Sequence, residues 1–300
     1  MTTPFDDDAI SPKVAKFVAE LEATLAELPA AHEVPVEVSR KARDEGKGIF
    51  PFNPPDPDAE EIEIPTDTGG SGILRLMRPT GTPTGVFLHI HGGGWTLGRP
   101  WHQDFRMRKF VEATGCATVS VEYRLAPENP WPAGAKDCAN AAEWVIDNMA
   151  EVFGTTKLAI GGESAGANLA ATTLLAMKDR GKLVAFDGAL MIYGAYDLSG
   201  TPSVRNWGPR KLVLSTPTIN WFTANLDIPH NKQRDPMASP LYGDLAGMPP
   251  ALFQCGTYDP LMDDTAFMAS RWQAAGSAQD TIWYPRGGPR LRLFQHLSGR

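Results

Sequence analysis

The chain is poor in cysteine, poor in basic charge and free of long apolar runs. Its three cysteines among 300 residues, Cys116, Cys138 and Cys255, are odd in number and widely spaced. That argues against a disulfide framework or a cysteine-based zinc site and predicts reduced, mostly buried thiols. Lys and Arg total 28 against 35 Asp and Glu, a net charge of −7. Nucleic-acid binding favours basic patches, so no nucleic-acid partner is expected, and neutral substrates are favoured over strongly anionic ones. No apolar run reaches the roughly 18 residues of a membrane helix. The opening "MTTPFDDDAI" lacks the basic start and apolar centre of a signal peptide. A soluble, cytoplasmic protein with no membrane partner is expected, as monomer or homodimer. No period of 20–50 residues indicates repeats.

What is present is a globular composition, 42% hydrophobic and 21% charged, long enough to bury a sizeable core. Residues 11–30 place apolar side chains at helical spacing after a Ser-Pro start, which predicts an amphipathic helix. Residues 46–60 are too rich in Pro and Gly for regular structure. Strands are predicted over 72–77, 85–90, 117–123, 157–162, 188–194, 250–256 and 280–285. Helices are predicted over 102–114, 136–150, 165–180 and 263–275. This alternation predicts an α/β fold, a mostly parallel central sheet flanked by helices. The stretch 198–245, rich in Trp, Pro and Asn, breaks the alternation and suggests an insertion over one end of the sheet.

Gly162-Glu163-Ser164-Ala165-Gly166 matches G-x-S-x-G where a predicted strand meets a predicted helix. A tight turn there projects a serine hydroxyl above the sheet, and the flanking glycines allow close backbone approach. The competing reading is an ordinary Gly-rich turn. "HIHGGGW", 89–95, follows another predicted strand. Its bare N–H groups suit an oxyanion hole, with Gly93 and Gly94 as donors and Ala165 adding a third. A flexible turn is the bland alternative. His91 precedes these glycines and is expected to order the loop rather than act as base; His89, inside the strand, is expected to be structural. Asp259 ends a later strand, where α/β sheets place their sites, and follows Ser164 as a triad acid does in this chain order. Asp263 and Asp264 suit the start of a helix through its dipole alone.

Together these residues resemble the hormone-sensitive lipase family of α/β-hydrolases. The resemblance rests on "HGGGW" (91–95), "YRLAPE" (123–128), "GESAGANLA" (162–170) and the stretch 235–264, and covers about residues 65–285. It implies an α/β-hydrolase fold with a helical cap built from an N-terminal segment, 1–50, and an inserted segment, 198–240. The catalytic domain is then 51–197 and 241–300. It also implies cleavage of short- to medium-chain carboxylic esters by a serine hydrolase with no cofactor and no metal. Trp95, Trp207, Trp221, Phe222 and Tyr196 are candidates for the substrate pocket or for the core.

The sequence departs from the family near its end. After the strand and turn of "WYPRGGP", 283–289, Arg290 stands where the family histidine is expected, and the family's closing helix is missing. Residues 286–300 hold four Arg and no acid, a change of composition that suggests a shifted reading frame. His296, six positions beyond Arg290, is the remaining candidate base. The competing reading, which the spacing favours, is a solvated histidine near the terminus. Two functions follow. One is a serine carboxylesterase impaired by loss of the family histidine. The alternative is a non-catalytic small-molecule binding protein on the hydrolase scaffold; plant gibberellin receptors resemble this family and lack the histidine.

Overall fold

The computed structural model describes residues 3–6, 11–47, 52–66 and 70–285. Eight strands form one sheet: β1 Glu60–Pro65, β2 Ser71–Met77, β3 Val86–Ile90, β4 Ala117–Glu122, β5 Leu158–Glu163, β6 Gly188–Ile192, β7 Ala251–Gly256 and β8 Gln279–Tyr284. Their order is β1-β2-β4-β3-β5-β6-β7-β8. Strands β3 to β8 run parallel, whereas β2 pairs antiparallel with β1 and β4. The helices are α1 Pro12–Ala26, α2 Val36–Asp44, α3 Asp104–Thr114, α4 Ala133–Phe153, α5 Ala165–Asp179, α6 Pro202–Trp207, α7 Thr216–Asn225 and α8 Met262–Ala274.

The central strands read as continuous apolar runs because helices cover both faces of the sheet. All five residues of β3 are buried, as are five of six in β4. The elements that departed from expectation are the ones without such patterning. β1 falls partly in the stretch read as irregular. Its "EEIEIP" buries only Ile64, and a charged edge strand needs little more. α2 is short and strongly polar overall, and it buries no residue. The helix expected over 11–30 ends at Ala26, ahead of the Pro29 turn.

α1 packs on the inserted stretch. Val18 and Leu21 form a small core with Leu212, joined by Phe17, Trp207 and Tyr258. Glu22 pairs with Arg210, Glu33 with Lys211 at 3.2 Å, and His32 Nδ1 lies 3.0 Å from Thr218 Oγ1. Two segments far apart in sequence are thereby joined. No described helix is long and apolar enough to cross a membrane.

Candidate active site

Ser164 is the single residue between β5 and α5, with φ 57° and ψ −122°. A side chain is costly in that region, about 1–3 kcal/mol, and persists only where the surroundings enforce it. Here they do. The Ser164 N–H donates to the Ile192 carbonyl at 2.9 Å, and the Ser164 carbonyl accepts from the N–H groups of Ala167 and Asn168. A Cβ on Gly162 or Gly166 would overlap the Ile90 carbonyl oxygen. Those two motif glycines let the elbow press against β3.

Ser164 lines an open cavity of about 750 Å3 together with Gly93 and Gly94. Gly93 and Gly94 have φ of 144° and 60°, values suited to glycine. A side chain on Gly94 would also collide with the Phe222 ring. The Gly93 carbonyl accepts from Thr96 and Leu97 N–H, which folds the loop back on itself. Among the described residues, the N–H groups of Gly93, Gly94 and Ala165 donate no hydrogen bond. Ala165 is buried at the first position of α5, where the helix leaves its early N–H groups unpaired. His91 is buried and stacked on Tyr123 at 4.3 Å. Its Nδ1–H donates to the Gly92 carbonyl at 3.1 Å. Burial outweighs that bond and pushes its pKa down to about 3, so the ring is neutral.

Asp259 lies in the turn after β7, two strands from β5 in the sheet order. It is buried. One carboxylate oxygen accepts the Leu261 N–H at 2.9 Å. The other, Oδ2, is buried and has no hydrogen-bond partner among the described residues. Burial raises its pKa to about 7; the Leu261 bond opposes this, and nearby Asp264 adds to it. The Thr257 N–H donates to the Tyr284 carbonyl at 3.0 Å, tying the Asp259 turn to the end of β8. Arg290 and His296 lie outside the described residues.

A raised carboxyl pKa has a consequence for stability. Between pH 4 and pH 7 the unfolded chain gives up the Asp259 proton while the folded chain keeps it, so stability falls as pH rises through this window. Asp259→Asn should therefore stabilise the protein at pH 8, by on the order of 2–4 kcal/mol at 1.36 kcal/mol per pH unit, with little gain at pH 4.5. Urea midpoints at the two pH values read this directly. An equal gain at both would contradict it.

Asp263 and Asp264 do more than suit a helix start, and the expectation of a dipole role alone is corrected. Asp264 is buried. It accepts from Tyr196 N–H at 2.6 Å, Asp197 N–H at 2.9 Å and Thr201 Oγ1–H at 2.6 Å. Burial pushes its pKa to about 7 against these three bonds. Asp263 accepts the Ser203 N–H at 2.7 Å. Both acids thus hold the segment after β6, which forms one cavity wall. Asn168, also passed over in the sequence, donates to the carbonyls of Ala195 and Ala238 at 2.8 and 2.9 Å. It pins both ends of the inserted stretch to α5. Of the five candidate aromatics, Trp95 and Phe222 line the cavity, while Tyr196 is fully buried in the core. Trp207 and Trp221 pack in the two apolar clusters.

Glu163 gave no signal in the sequence beyond its place in the motif. It is buried and accepts the Gly92 N–H at 2.8 Å. Burial alone would raise its pKa, but the bond and charge of His89, with Arg106 and the Gly92 N–H, hold it at about 2.

A mostly parallel sheet, a strained serine at a strand-to-helix turn and the unbonded N–H groups of Gly93 and Gly94 at the same cavity fit the α/β-hydrolase class. A family model described as alpha/beta hydrolase fold matches residues 87–288. The chain belongs to this family, in its hormone-sensitive-lipase-like branch. It is 33% identical over 230 residues to the carboxylic ester hydrolase LipN of Mycobacterium tuberculosis, covering 74% of this chain and 61% of that protein. It is 35% identical over 222 residues to an arylesterase of Saccharolobus solfataricus, covering 72% and 69%. A solved esterase of Pyrobaculum calidifontis superposes with a TM-score of 0.84 at 30% identity, covering 95% of this chain and 92% of that one. The chain spans 61% of the length of LipN and of the carboxylesterase NlhH.

Proposed function

We propose that this protein is a carboxylic ester hydrolase acting through Ser164 and an acyl-enzyme, with a catalytic base that is impaired. The observation that carries this is the strained Ser164 opening into the same cavity as the unbonded N–H groups of Gly93 and Gly94. The esterase names of the relatives support it.

Ser164 Oγ attacks the ester carbonyl carbon while a base takes its proton. The carbonyl oxygen becomes an oxyanion and accepts from Gly93, Gly94 and Ala165 N–H. The base returns the proton to the leaving alcohol as the carbon–oxygen bond breaks, leaving an acyl-serine that water cleaves by the same route. The acid, Asp259, orients the base and stabilises its cationic form. Arg290 stands at the family histidine's place. Asp259 Oδ2, which has no hydrogen-bond partner among the described residues, is the atom such a base would meet.

Residues 1–50 and 198–240 act as the cap. Ala31 and Arg43 from the first, and Val204, Leu214, Ile219 and Phe222 from the second, line the cavity. A space of about 750 Å3 beneath such a roof admits short and medium acyl chains. Soluble p-nitrophenyl esters of roughly C2–C8 should be cleaved in preference to long-chain triglyceride emulsions, because a pocket of this size encloses a small ligand. Faster turnover of the emulsion would sink the assignment of chain length.

A further inference from the structure

We propose that Glu163 is a positioning residue that sets the aim of the oxyanion loop through a buried relay across three strands. The proposal rests on the esterase reading above. Glu163 Oε1 accepts the Gly92 N–H at 2.8 Å. Glu163 Oε2 lies 3.1 Å from His89 Nε2, and His89 Nδ1 lies 3.1 Å from Ser120 Oγ. Glu163 ends β5, His89 sits in β3 and Ser120 in β4. β3 lies between the other two, and His89 and Ser120 are register partners. All three side chains are buried, at 3%, 2% and 4% exposure.

An elbow needs no carboxylate at this position, because its turn is made by Ser164 and the flanking glycines. A buried charge is costly unless it is paired and hydrogen-bonded. Here it is bonded on both oxygens, and one of those bonds goes to the residue that opens the oxyanion loop. Gly92 has no room for a side chain against the Glu163 carbonyl, so loop and elbow are in direct contact. The far end of the loop is fixed separately, by the Gly93 carbonyl accepting from Thr96 and Leu97. The Gly92 N–H bond fixes the near end. Between the two anchors lie the N–H groups of Gly93 and Gly94. Oxyanion donors act only at about 2.7–3.1 Å from the developing charge, so a loop freed at one end loses transition-state stabilisation more than substrate binding.

The test uses Glu163→Leu and Glu163→Gln, with Ser164→Ala as control. It measures kcat and KM on p-nitrophenyl butyrate, labelling of Ser164 by a fluorophosphonate, and hydrogen exchange of the Gly92 amide. Glu163→Leu should lower kcat by about 10- to 100-fold with KM within about twofold, slow labelling in parallel, and speed Gly92 exchange. Glu163→Gln keeps an oxygen for Gly92 and offers an N–H to Nε2 of a neutral His89 whose proton sits on Nδ1, so it should recover most of the loss. A purely structural role would lower thermal stability in Glu163→Leu while leaving kcat and labelling per folded molecule unchanged, and would overturn the proposal. So would Gly92 exchange equal to that of the unsubstituted protein. If Glu163→Leu does not fold, Ser120→Ala decides. It removes only the far end of the relay and should lower kcat several-fold at constant KM; no change overturns the proposal. Failure of the esterase reading looks different: fluorophosphonate labelling is the same in Ser164→Ala as in the unsubstituted protein, whereas Gly92 exchange still reports on Glu163.

Discussion

Arg290→His raises kcat/KM for p-nitrophenyl butyrate by about 100-fold or more, while His296→Ala changes it by less than about twofold. The magnitude follows from what a triad base does. Without one, the serine hydroxyl stays protonated at neutral pH and is a weak nucleophile; losing one triad member costs several powers of ten, with residual acceleration from the oxyanion hole and binding. The location follows from the sheet. Tyr284 pairs with Gly256 at the end of β8, three residues before Asp259, and the Tyr284 carbonyl holds the Thr257 N–H. Six residues separate Tyr284 from position 290, at most about 20 Å of chain, which suffices to return a side chain to the Asp259 turn. Asp259 Oδ2 offers a buried acceptor with no partner among the described residues. An imidazole bonded there would gain a partner, and its cationic form would draw the Asp259 carboxyl down from about 7. Adding Asp259→Asn to Arg290→His should therefore erase most of the gain. If His296→Ala alone destroys a robust activity, the tail supplies the base and this account is wrong.

Ser164→Ala abolishes hydrolysis in the Arg290→His background, by about 10,000-fold or more in kcat. In the unsubstituted chain the same substitution produces a smaller drop. Triad members act as a unit, and once the base is absent the serine contributes little that remains to be lost. The fold survives in both, since the change removes one hydroxyl at a turn whose backbone is held by Ile192, Ala167 and Asn168. Circular dichroism and a denaturant midpoint verify this alongside the kinetics. An undiminished rate in the doubly substituted chain rules out Ser164 as the nucleophile.

The sequence by itself determined the sheet and the location of the elbow. Apolar runs such as "VFLHI" and "ATVSVE" have one stable place, inside a parallel sheet covered on both faces, and G-x-S-x-G at a strand end leaves the backbone a single tight exit into a helix. It did not determine β1 or α2, because β1 buries only Ile64 and α2 buries nothing. Patterning reports burial, and these elements have almost none to report. The tertiary structure alone decided what the buried acids do. Glu163, Asp263 and Asp264 look alike in a one-dimensional string. Their partners, Gly92 and His89 for the first, Ser203 for the second, and Tyr196, Asp197 and Thr201 for the third, lie 60 to 74 positions away in the chain. Such bonds come from packing, since the low-dielectric interior makes an unbonded carboxylate costly and folding must bring donors to it. The same holds for Asn168, whose amide ties Ala195 and Ala238. The joining of α1 to Leu212 is likewise a contact between segments that no local pattern couples.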